Sequence, residues 1–213
     1  MKDKELLLFV VPFSNKIKPI TDLEKEKLNN LSNHRAIEYA FTRGHVRDIL
    51  SKLFGISPLD IPLESFPGKP PILKGELGNI SISHCKDALF IGWSTKNIGV
   101  DIERKDRKFK SNNIAEKYFL KEERKELEKL SGEKRRLSIL KLWVLKEAAI
   151  KYQRGTIMRD LSLWEINNKY TSAHHKSLNI SLNTFCFHKK SWVLGIAHNS
   201  ININYKDIIV DSN

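Results

Sequence analysis

The sequence predicts an α+β protein made of two similar α/β subdomains. Strand, helices, an irregular segment and further strands follow one another roughly twice, with a break near residues 96–98. Apolar residues make up 40% of the 213-residue chain, which is enough to build a core without disulfide bonds. We therefore expect one subdomain at residues 1–97 and a second at residues 98–213.

The elements of the first half follow from periodicity and capping residues. Thr21 followed by Glu24 predicts a capping box at a helix start, and Gly55 predicts the end of a longer helix. The segment before the next strand is rich in Pro and Gly, so we expect it to be irregular. The predicted elements are a strand at Leu6 to Phe13, helices at Thr21 to Leu31 and Asn33 to Phe54, an irregular segment at Ser57 to Gly78, and strands at Ile80 to His84 and Ala88 to Ser94.

The second half is predicted to contain three helices and a set of strands. Residues 100–103 alternate between apolar and acidic side chains, which is the period of a strand. Nine of the twelve residues from Ile139 to Ile150 are apolar and surround the helix axis, so we expect this helix to be enclosed by protein. The predicted elements are a strand at Val100 to Glu103, helices at Asn112 to Phe119, Lys121 to Leu130 and Glu133 to Gly155, and strands at Leu163 to Ile166, Leu178 to Phe187, Trp192 to His198 and Ile201 to Tyr205.

Charged residues in these buried elements indicate a metal site. Glu147 and Lys151 lie one turn apart on the enclosed helix, and for this pair alone an ordinary helical ion pair is a sufficient explanation. Asp101 and Glu103 project from one face of a strand, roughly 7 Å apart, and such a pair repels unless a cation joins it. The three carboxylates of Asp101, Glu103 and Glu147 have the type and number that suit Mg²⁺, with water and phosphate completing its shell.

Two segments resemble the paired signature of the 4′-phosphopantetheinyl transferases. Residues 99–103, GVDIE, look like the GxDIE motif, and residues 143–151, WVLKEAAIK, look like WxxKEAxxK. Residues 68–70, GKP, resemble the family's GKP element, and residues 81–84, SISH, resemble its (N/S)xSH element. The resemblance extends from about Arg35 to Lys151, and the chain length is similar to that of the larger, Sfp-type branch.

This resemblance implies a fold, an activity and a set of roles. The fold would be two halves related by a pseudo-twofold axis, with coenzyme A in the cleft between them. The activity would be Mg²⁺-dependent transfer of 4′-phosphopantetheine from coenzyme A to a serine of an apo acyl or peptidyl carrier protein, with release of adenosine 3′,5′-bisphosphate. By motif match, Asp101, Glu103 and Glu147 would bind Mg²⁺, and Lys151 would contact the pyrophosphate. The other coenzyme A contacts would be Arg43, Gly68, Lys69, Pro70, Ser83 and His84.

The attacking serine also needs a base. In Sfp-type relatives a glutamate between the two signatures is the proposed base, and the spacing of residues 118–123, YFLKEE, assigns this role to Glu123, with Glu122 as the alternative. Glu123, Glu147 and Lys151 are therefore the predicted catalytic set. Pro67 stands where relatives often have an aromatic residue, which predicts a differently lined adenine pocket.

Composition restricts the partners. Lys and Arg exceed Asp and Glu by 12, so the surface should attract coenzyme A and an acidic carrier protein. The two cysteines have no metal-ligand spacing and fit a reducing compartment, and we expect a cytoplasmic monomer. A metal-dependent nuclease is a second interpretation, but the usual acid-x-Lys tripeptide is missing because Arg104 follows Glu103. A basic nucleic-acid-binding module is a third, and it leaves the three carboxylates without a purpose.

Overall fold

The computed structural model describes residues 5–66, 69–199, 203 and 208–210, and it confirms the mixed α+β class. The helices are α1 (Asp22–Leu28), α2 (Asn33–Phe54), α3 (Ser111–Tyr118), α4 (Lys121–Glu128), α5 (Gly132–Gln153) and α6 (Ile157–Asp160), and Pro58–Asp60 form a 3₁₀ turn. The strands are β1 (Leu6–Pro12), β2 (Leu63–Glu64), β3 (Ile72–Leu73), β4 (Asn79–Cys85), β5 (Ala88–Ser94), β6 (Ile98–Arg104), β7 (Trp164–Ile166), β8 (Ser172–His175), β9 (Ile180–Lys189), β10 (Trp192–His198) and β11 (Ile208–Val210).

The strands form two main sheets whose edge strands lie beside each other. The first sheet has the order β11-β1-β5-β4, the second has the order β6-β10-β9-β8-β7, and β2 pairs with β3. Pairing is antiparallel within both sheets except between β1 and β11. The edge strands β4 and β6 are in contact, and the Val100 N–H donates a hydrogen bond to Ser81 Oγ at 3.0 Å. The two sheets therefore meet at β4 and β6.

Apolar side chains fill three layers around these sheets. One cluster joins α2 to the first sheet, and another joins α3, α4 and α5 to the second. A third cluster lies between the sheets, where Val10 and Phe90 of the first sheet meet Val100 and Leu194 of the second. The two sheets thus share a core. Among the described ranges, no helix is long and apolar enough to cross a membrane.

A buried ion-pair cluster attaches α1 to α2. The predicted capping box forms, because the Thr21 N–H donates to Glu24 Oε2 at 3.0 Å and the Glu24 N–H donates to Thr21 Oγ1 at 3.3 Å. The Glu24 carboxylate also accepts hydrogen bonds from Arg43 and Arg47 of α2. Burial by itself would raise the pKa of Glu24, but the two arginines outweigh it and bring the pKa to about 2. The cluster therefore remains ionised at neutral pH.

Helix α5 lies close to its predicted bounds but ends in a different way. Arg154 has a φ of 58° and ends the helix in the left-handed conformation, one residue before the predicted end at Gly155. The Gly155 N–H then donates to the carbonyl oxygen of Ile150 at 2.9 Å. A Cβ on Gly155 would lie 2.2 Å from Asp160 Oδ2. The glycine is therefore needed for a close approach to Asp160.

The C-terminal region differs most from the prediction. The strand expected at Leu178 to Phe187 lies two residues further along the chain, and Ser172–His175 form a strand that periodicity did not reveal. The strand expected at Ile201 to Tyr205 lies outside the described residues except for Ile203. Ile208–Val210 pair with β1, so residues assigned by the sequence to the second subdomain complete the first sheet. The subdomain boundary at residues 97–98 stays a prediction.

Gly99→Ala is expected to destabilise the protein. A Cβ at position 99 would lie 1.8 Å from the Ala148 carbonyl oxygen and 2.5 Å from the Tyr152 nitrogen, which are backbone atoms of α5. We expect a loss of about 2–3 kcal/mol in the free energy of unfolding, measured by chemical denaturation. Gly92→Ala is the matched control, because its Cβ would meet side-chain atoms of β6 that can shift, and it should cost less. Equal losses in both variants would contradict this account.

Candidate functional site

Strand β6 and helix α5 position the predicted carboxylates. Val100 and Ile102 belong to the core between the sheets, so the alternation of the strand turns Asp101 away from that core. Because Gly99 has no side chain, β6 lies directly against the backbone of α5. This contact brings Asp101 next to Lys151, which lies on the last turn of α5.

Asp101, Ser83 and Lys151 form a compact hydrogen-bonded group. Ser83 Oγ donates to Asp101 Oδ1 at 2.6 Å, and Lys151 Nζ donates to the same oxygen at 2.7 Å. Lys151 Nζ also lies 2.8 Å from Ser83 Oγ, to which it donates. Asp101 is only 3% exposed, and its Oδ2 atom is buried with no hydrogen-bond partner among the described residues. One carboxylate oxygen is therefore left without the partner that a buried polar atom normally has.

Glu147 and Glu103 lie close enough to Asp101 for their charges to interact. Burial is the main cause that raises the pKa of Glu147 to about 8, and the charges of Asp101 and Glu103 add to it, whereas Lys151 lowers it. Burial also raises the pKa of Glu103 to about 7, in spite of an ion pair with Arg107. The raised pKa values of Glu103 and Glu147 therefore come mainly from burial, and the charges of neighbouring carboxylates add to them.

The chemistry of this donor set fits a hard divalent cation. Three carboxylates supply oxygen ligands, and the unpartnered Asp101 Oδ2 is available to a cation. In the part of the chain that the structure describes, however, no three His, Cys, Asp or Glu side chains are arranged closely enough to hold a metal ion. Lys151 forms an ion pair with Asp101, and Arg107 forms an ion pair with Glu103. A metal ion that binds both carboxylates would therefore have to displace these two basic side chains.

Two cavities lie at opposite ends of the contact between β4 and β6, with the Asp101 group between them. The two strands run in the same direction, because Ser81 contacts Val100 and Ser83 contacts Asp101. A cavity of about 240 Å³ lies at one end, and a cavity of about 580 Å³ lies at the other. The first is lined by Lys69, Pro70, Asn79, Ile98, Lys151 and Tyr152 among others, and the second by Lys86, Asp87, Glu103, Arg104, Arg107 and Lys108 among others.

The predicted coenzyme A contacts are only partly brought together. Lys69 and Pro70 line the first cavity, and Ser83 lies beside Asp101. Gly68 lies outside the described residues. His84 follows Ser83 on β4 and so projects from the opposite face, where it contacts Glu38 of α2 at 3.0 Å. The structure therefore separates His84 from the Asp101 group.

Arg43 is part of the buried ion-pair cluster that joins α1 and α2. Its guanidinium donates to Glu24, to Ser65 Oγ at 2.8 Å and to the Leu63 carbonyl oxygen at 2.9 Å, and the side chain is 5% exposed. These contacts use three of the five N–H groups that a guanidinium carries. The contact of Arg43 with coenzyme A therefore stays a prediction. Only the position of α1, which carries Glu24, reveals this ion pair.

Glu123 lies in a second buried ion pair. Its carboxylate accepts a hydrogen bond from Lys146 Nζ at 2.9 Å and from two backbone N–H groups, also at 2.9 Å. Lys146 is fully buried, and burial lowers its pKa despite the neighbouring carboxylate. The role of Glu123 as a base stays a prediction, and in the ligand-free protein both of its oxygens accept backbone hydrogen bonds. Glu122, the alternative, is exposed. The sequence signal for this buried pair was Lys146, a lysine within the apolar stretch of α5.

A comparison with protein families bears on this site. The model of the family described as the 4′-phosphopantetheinyl transferase superfamily matches residues 97–203, about half of the chain. The matched region contains Asp101, Glu103, Glu147 and Lys151. No curated protein matches the chain.

Glu147→Gln is expected to stabilise the metal-free protein at alkaline pH. The pKa of Glu147 is about 8 in the folded protein, against 4.5 for an unperturbed glutamate. Between these values the unfolded state releases the proton first, so the wild-type protein should lose stability as the pH rises, whereas glutamine cannot ionise. Melting temperatures in EDTA at about pH 5 and about pH 8.5 measure the difference. The exposed control Glu128→Gln should behave as the wild type, and a Glu147→Gln variant with the same pH dependence would contradict the prediction.

Glu123→Gln is expected to lower the stability of the folded protein. The change leaves the buried Lys146 ammonium without its countercharge, which costs about 3 kcal/mol or more in the free energy of unfolding. Chemical denaturation measures this loss, and adding Lys146→Met should recover part of it. Glu122→Gln, one residue away and exposed, is the control and should leave stability unchanged. A Glu123→Gln variant that keeps full stability but loses turnover would instead support its predicted role as a base.

Proposed function

As the chain belongs to the 4′-phosphopantetheinyl transferase superfamily, we propose that it transfers 4′-phosphopantetheine from coenzyme A to a serine of an apo carrier protein. Members of this superfamily transfer phosphopantetheine from coenzyme A to carrier proteins. In our proposal the reaction depends on Mg²⁺ and releases adenosine 3′,5′-bisphosphate, so the protein is a holo-[carrier protein] synthase. The observation that carries this proposal is the hydrogen-bonded group of Asp101, Ser83 and Lys151 beside Glu147.

The two cavities support coenzyme A as the ligand. Coenzyme A is extended, and its pyrophosphate lies between a nucleotide and a flexible arm. A cavity likewise lies on each side of the Asp101 group. We assign the nucleotide to the cavity with Lys69 and Pro70, the pyrophosphate to Lys151, and the pantetheine arm to the cavity with Glu103 and Arg107. In this arrangement the two anionic parts of the ligand, the nucleotide and the pyrophosphate, each lie beside a lysine.

The charged side chains of the site would neutralise the negative charge of the pyrophosphate during the transfer. Lys151 donates to a pyrophosphate oxygen and stabilises the charge that develops on the leaving phosphate. Asp101, Glu103 and Glu147 would hold Mg²⁺, which when bound supplies further positive charge to the pyrophosphate.

The reaction forms one bond and breaks one. The serine oxygen bonds to the phosphorus that carries the pantetheine, and the bond from that phosphorus to the bridging oxygen breaks. The electron pair of the broken bond leaves with adenosine 3′,5′-bisphosphate. The serine proton needs an acceptor. We assign this role to Glu122, which is exposed, because Glu123 is committed to Lys146.

We extend the proposal to the Sfp-type branch, with two halves related by a pseudo-twofold axis in a monomer. In support, α2 and α5 each have 22 residues, and each packs on one of the two sheets. The halves would be residues 1–97 and 98–213, with the coenzyme A cleft where β4 meets β6. Strand β11 would then be a segment of the second half that returns to the first sheet.

The carrier protein would be acidic and would approach at the second cavity. The net charge of +12 favours an acidic partner. The acceptor serine must reach the phosphorus that bears the arm, so it enters from the end where the arm lies. Lys86 and Lys108 line this cavity and are exposed. They would therefore contribute positive charge at the place where the carrier arrives.

Asp101→Asn is expected to abolish transfer. The change keeps the size of the side chain but removes charge from the metal-binding set, and we expect turnover to fall about 100-fold or more. Incubation with Mg²⁺, fluorescent coenzyme A and a panel of apo carrier proteins measures label on the carrier. Asp22→Asn is the control, because Asp22 is exposed, pairs with Lys25 on α1 and lines neither cavity. Near-normal transfer by Asp101→Asn would show that the metal site is misplaced, and cleavage of DNA or RNA without transfer to any carrier would favour the nuclease interpretation.

A further inference from the structure

Arg107 is a cation already present in the carboxylate cluster. It lies in the turn after β6, and its guanidinium forms an ion pair with Glu103. Its positive charge acts on Glu147 as well. Glu103 and Glu147 are two of the three carboxylates that we assign to the metal. In the ligand-free protein, the positive charge of Arg107 therefore replaces part of the charge that the metal would supply.

Two aromatic rings hold the same guanidinium. The Cζ atom of Arg107 lies 5.7 Å from the ring centroid of Phe109 and 5.9 Å from that of Trp143. Trp143 lies one turn before Glu147 on α5. Aromatic rings attract a guanidinium independently of any carboxylate. The two rings can therefore keep Arg107 in place after Glu103 takes another partner.

The neighbouring basic residues have different partners. Arg104 is paired with Asp87 and Asp106, and Lys105 donates to the Lys190 carbonyl oxygen. Lys108 is exposed, and it has no ion pair in the described ranges. Among residues 104–108, Arg107 is thus the cation that is paired with an assigned metal ligand. It also lines the second cavity.

We propose that Arg107 exchanges partners when the site is filled, pairing with Glu103 in the ligand-free protein and with a phosphate of coenzyme A in the metal-bound complex. This inference rests on the proposed function. A divalent cation at Glu103 competes with the guanidinium for the same carboxylate. The released guanidinium stays between Phe109 and Trp143 and presents planar N–H donors, which match a phosphate in two-point hydrogen bonding. Arg107 would therefore position the pyrophosphate from the side opposite Lys151.

Metal binding without coenzyme A tests the first half of the exchange. We would titrate the protein with Mn²⁺ under argon at about pH 8.5 and count free Mn²⁺ by electron paramagnetic resonance. Arg107→Ala removes the competing cation, and we expect Mn²⁺ to bind about tenfold more tightly. Lys108→Ala removes an equal charge one residue away and should stay within about twofold of the wild type. Unchanged or weaker Mn²⁺ binding by Arg107→Ala would overturn the proposal.

Coenzyme A binding in saturating Mn²⁺ tests the second half. Arg107→Ala should bind coenzyme A about tenfold more weakly in calorimetry, because a charge-assisted hydrogen bond to phosphate is lost. Arg107→Lys keeps the charge, so its affinity for coenzyme A should lie between those of the wild type and of Arg107→Ala. A structural defect would weaken the binding of both Mn²⁺ and coenzyme A, whereas the exchange predicts tighter binding of Mn²⁺ and weaker binding of coenzyme A. Unchanged coenzyme A binding by Arg107→Ala overturns the exchange while leaving the proposed function intact, and a wild-type protein that binds neither ligand overturns both.

Discussion

The close contact between β6 and α5 at Gly99 is the constraint on which the candidate site depends. With only a hydrogen at this position, the strand lies against the α5 backbone at Ala148 and Tyr152. Asp101 then lies 2.7 Å from Lys151, while Glu147 is one turn earlier on the same helix. A side chain at position 99 would separate the strand and the helix by more than a hydrogen bond tolerates. One contact between backbones thus sets the geometry of charged groups from two elements.

Buried carboxylates have two different roles in this protein. Those of Glu24 and Glu123 are fully engaged with basic side chains and backbone N–H groups, and they join elements that are distant in sequence. Asp101 keeps a buried oxygen without a partner, and burial raises the pKa of Glu147 to about 8. A buried oxygen without a partner and a strongly raised pKa both reduce the stability of the ligand-free protein. Such features are typical of binding sites. The contrast separates structural charges from the candidate site.

Local patterns predicted much of this fold because they depend on neighbours in the sequence. The capping box at Thr21, the bounds of α2 and the alternation of β6 all appear as expected. Strand β8 was missed because its four residues, two of them histidines, lack a clear apolar alternation. The end of α5 was misplaced by one residue because a left-handed arginine replaces the expected glycine. Each miss occurs where tertiary contacts outweigh a weak local preference.

The sequence by itself determined the family, the α+β class and the three carboxylates that share a region, because motif spacing and the periods of strands and helices are local properties. Only the tertiary structure decided which charged side chains are paired with one another. Arg43 and Arg47 are paired with Glu24 because α1 packs on α2, and Glu123 is paired with Lys146 because α4 packs on α5. The reason is that the partner of a buried charge comes from another element, and the packing of elements decides which partner arrives.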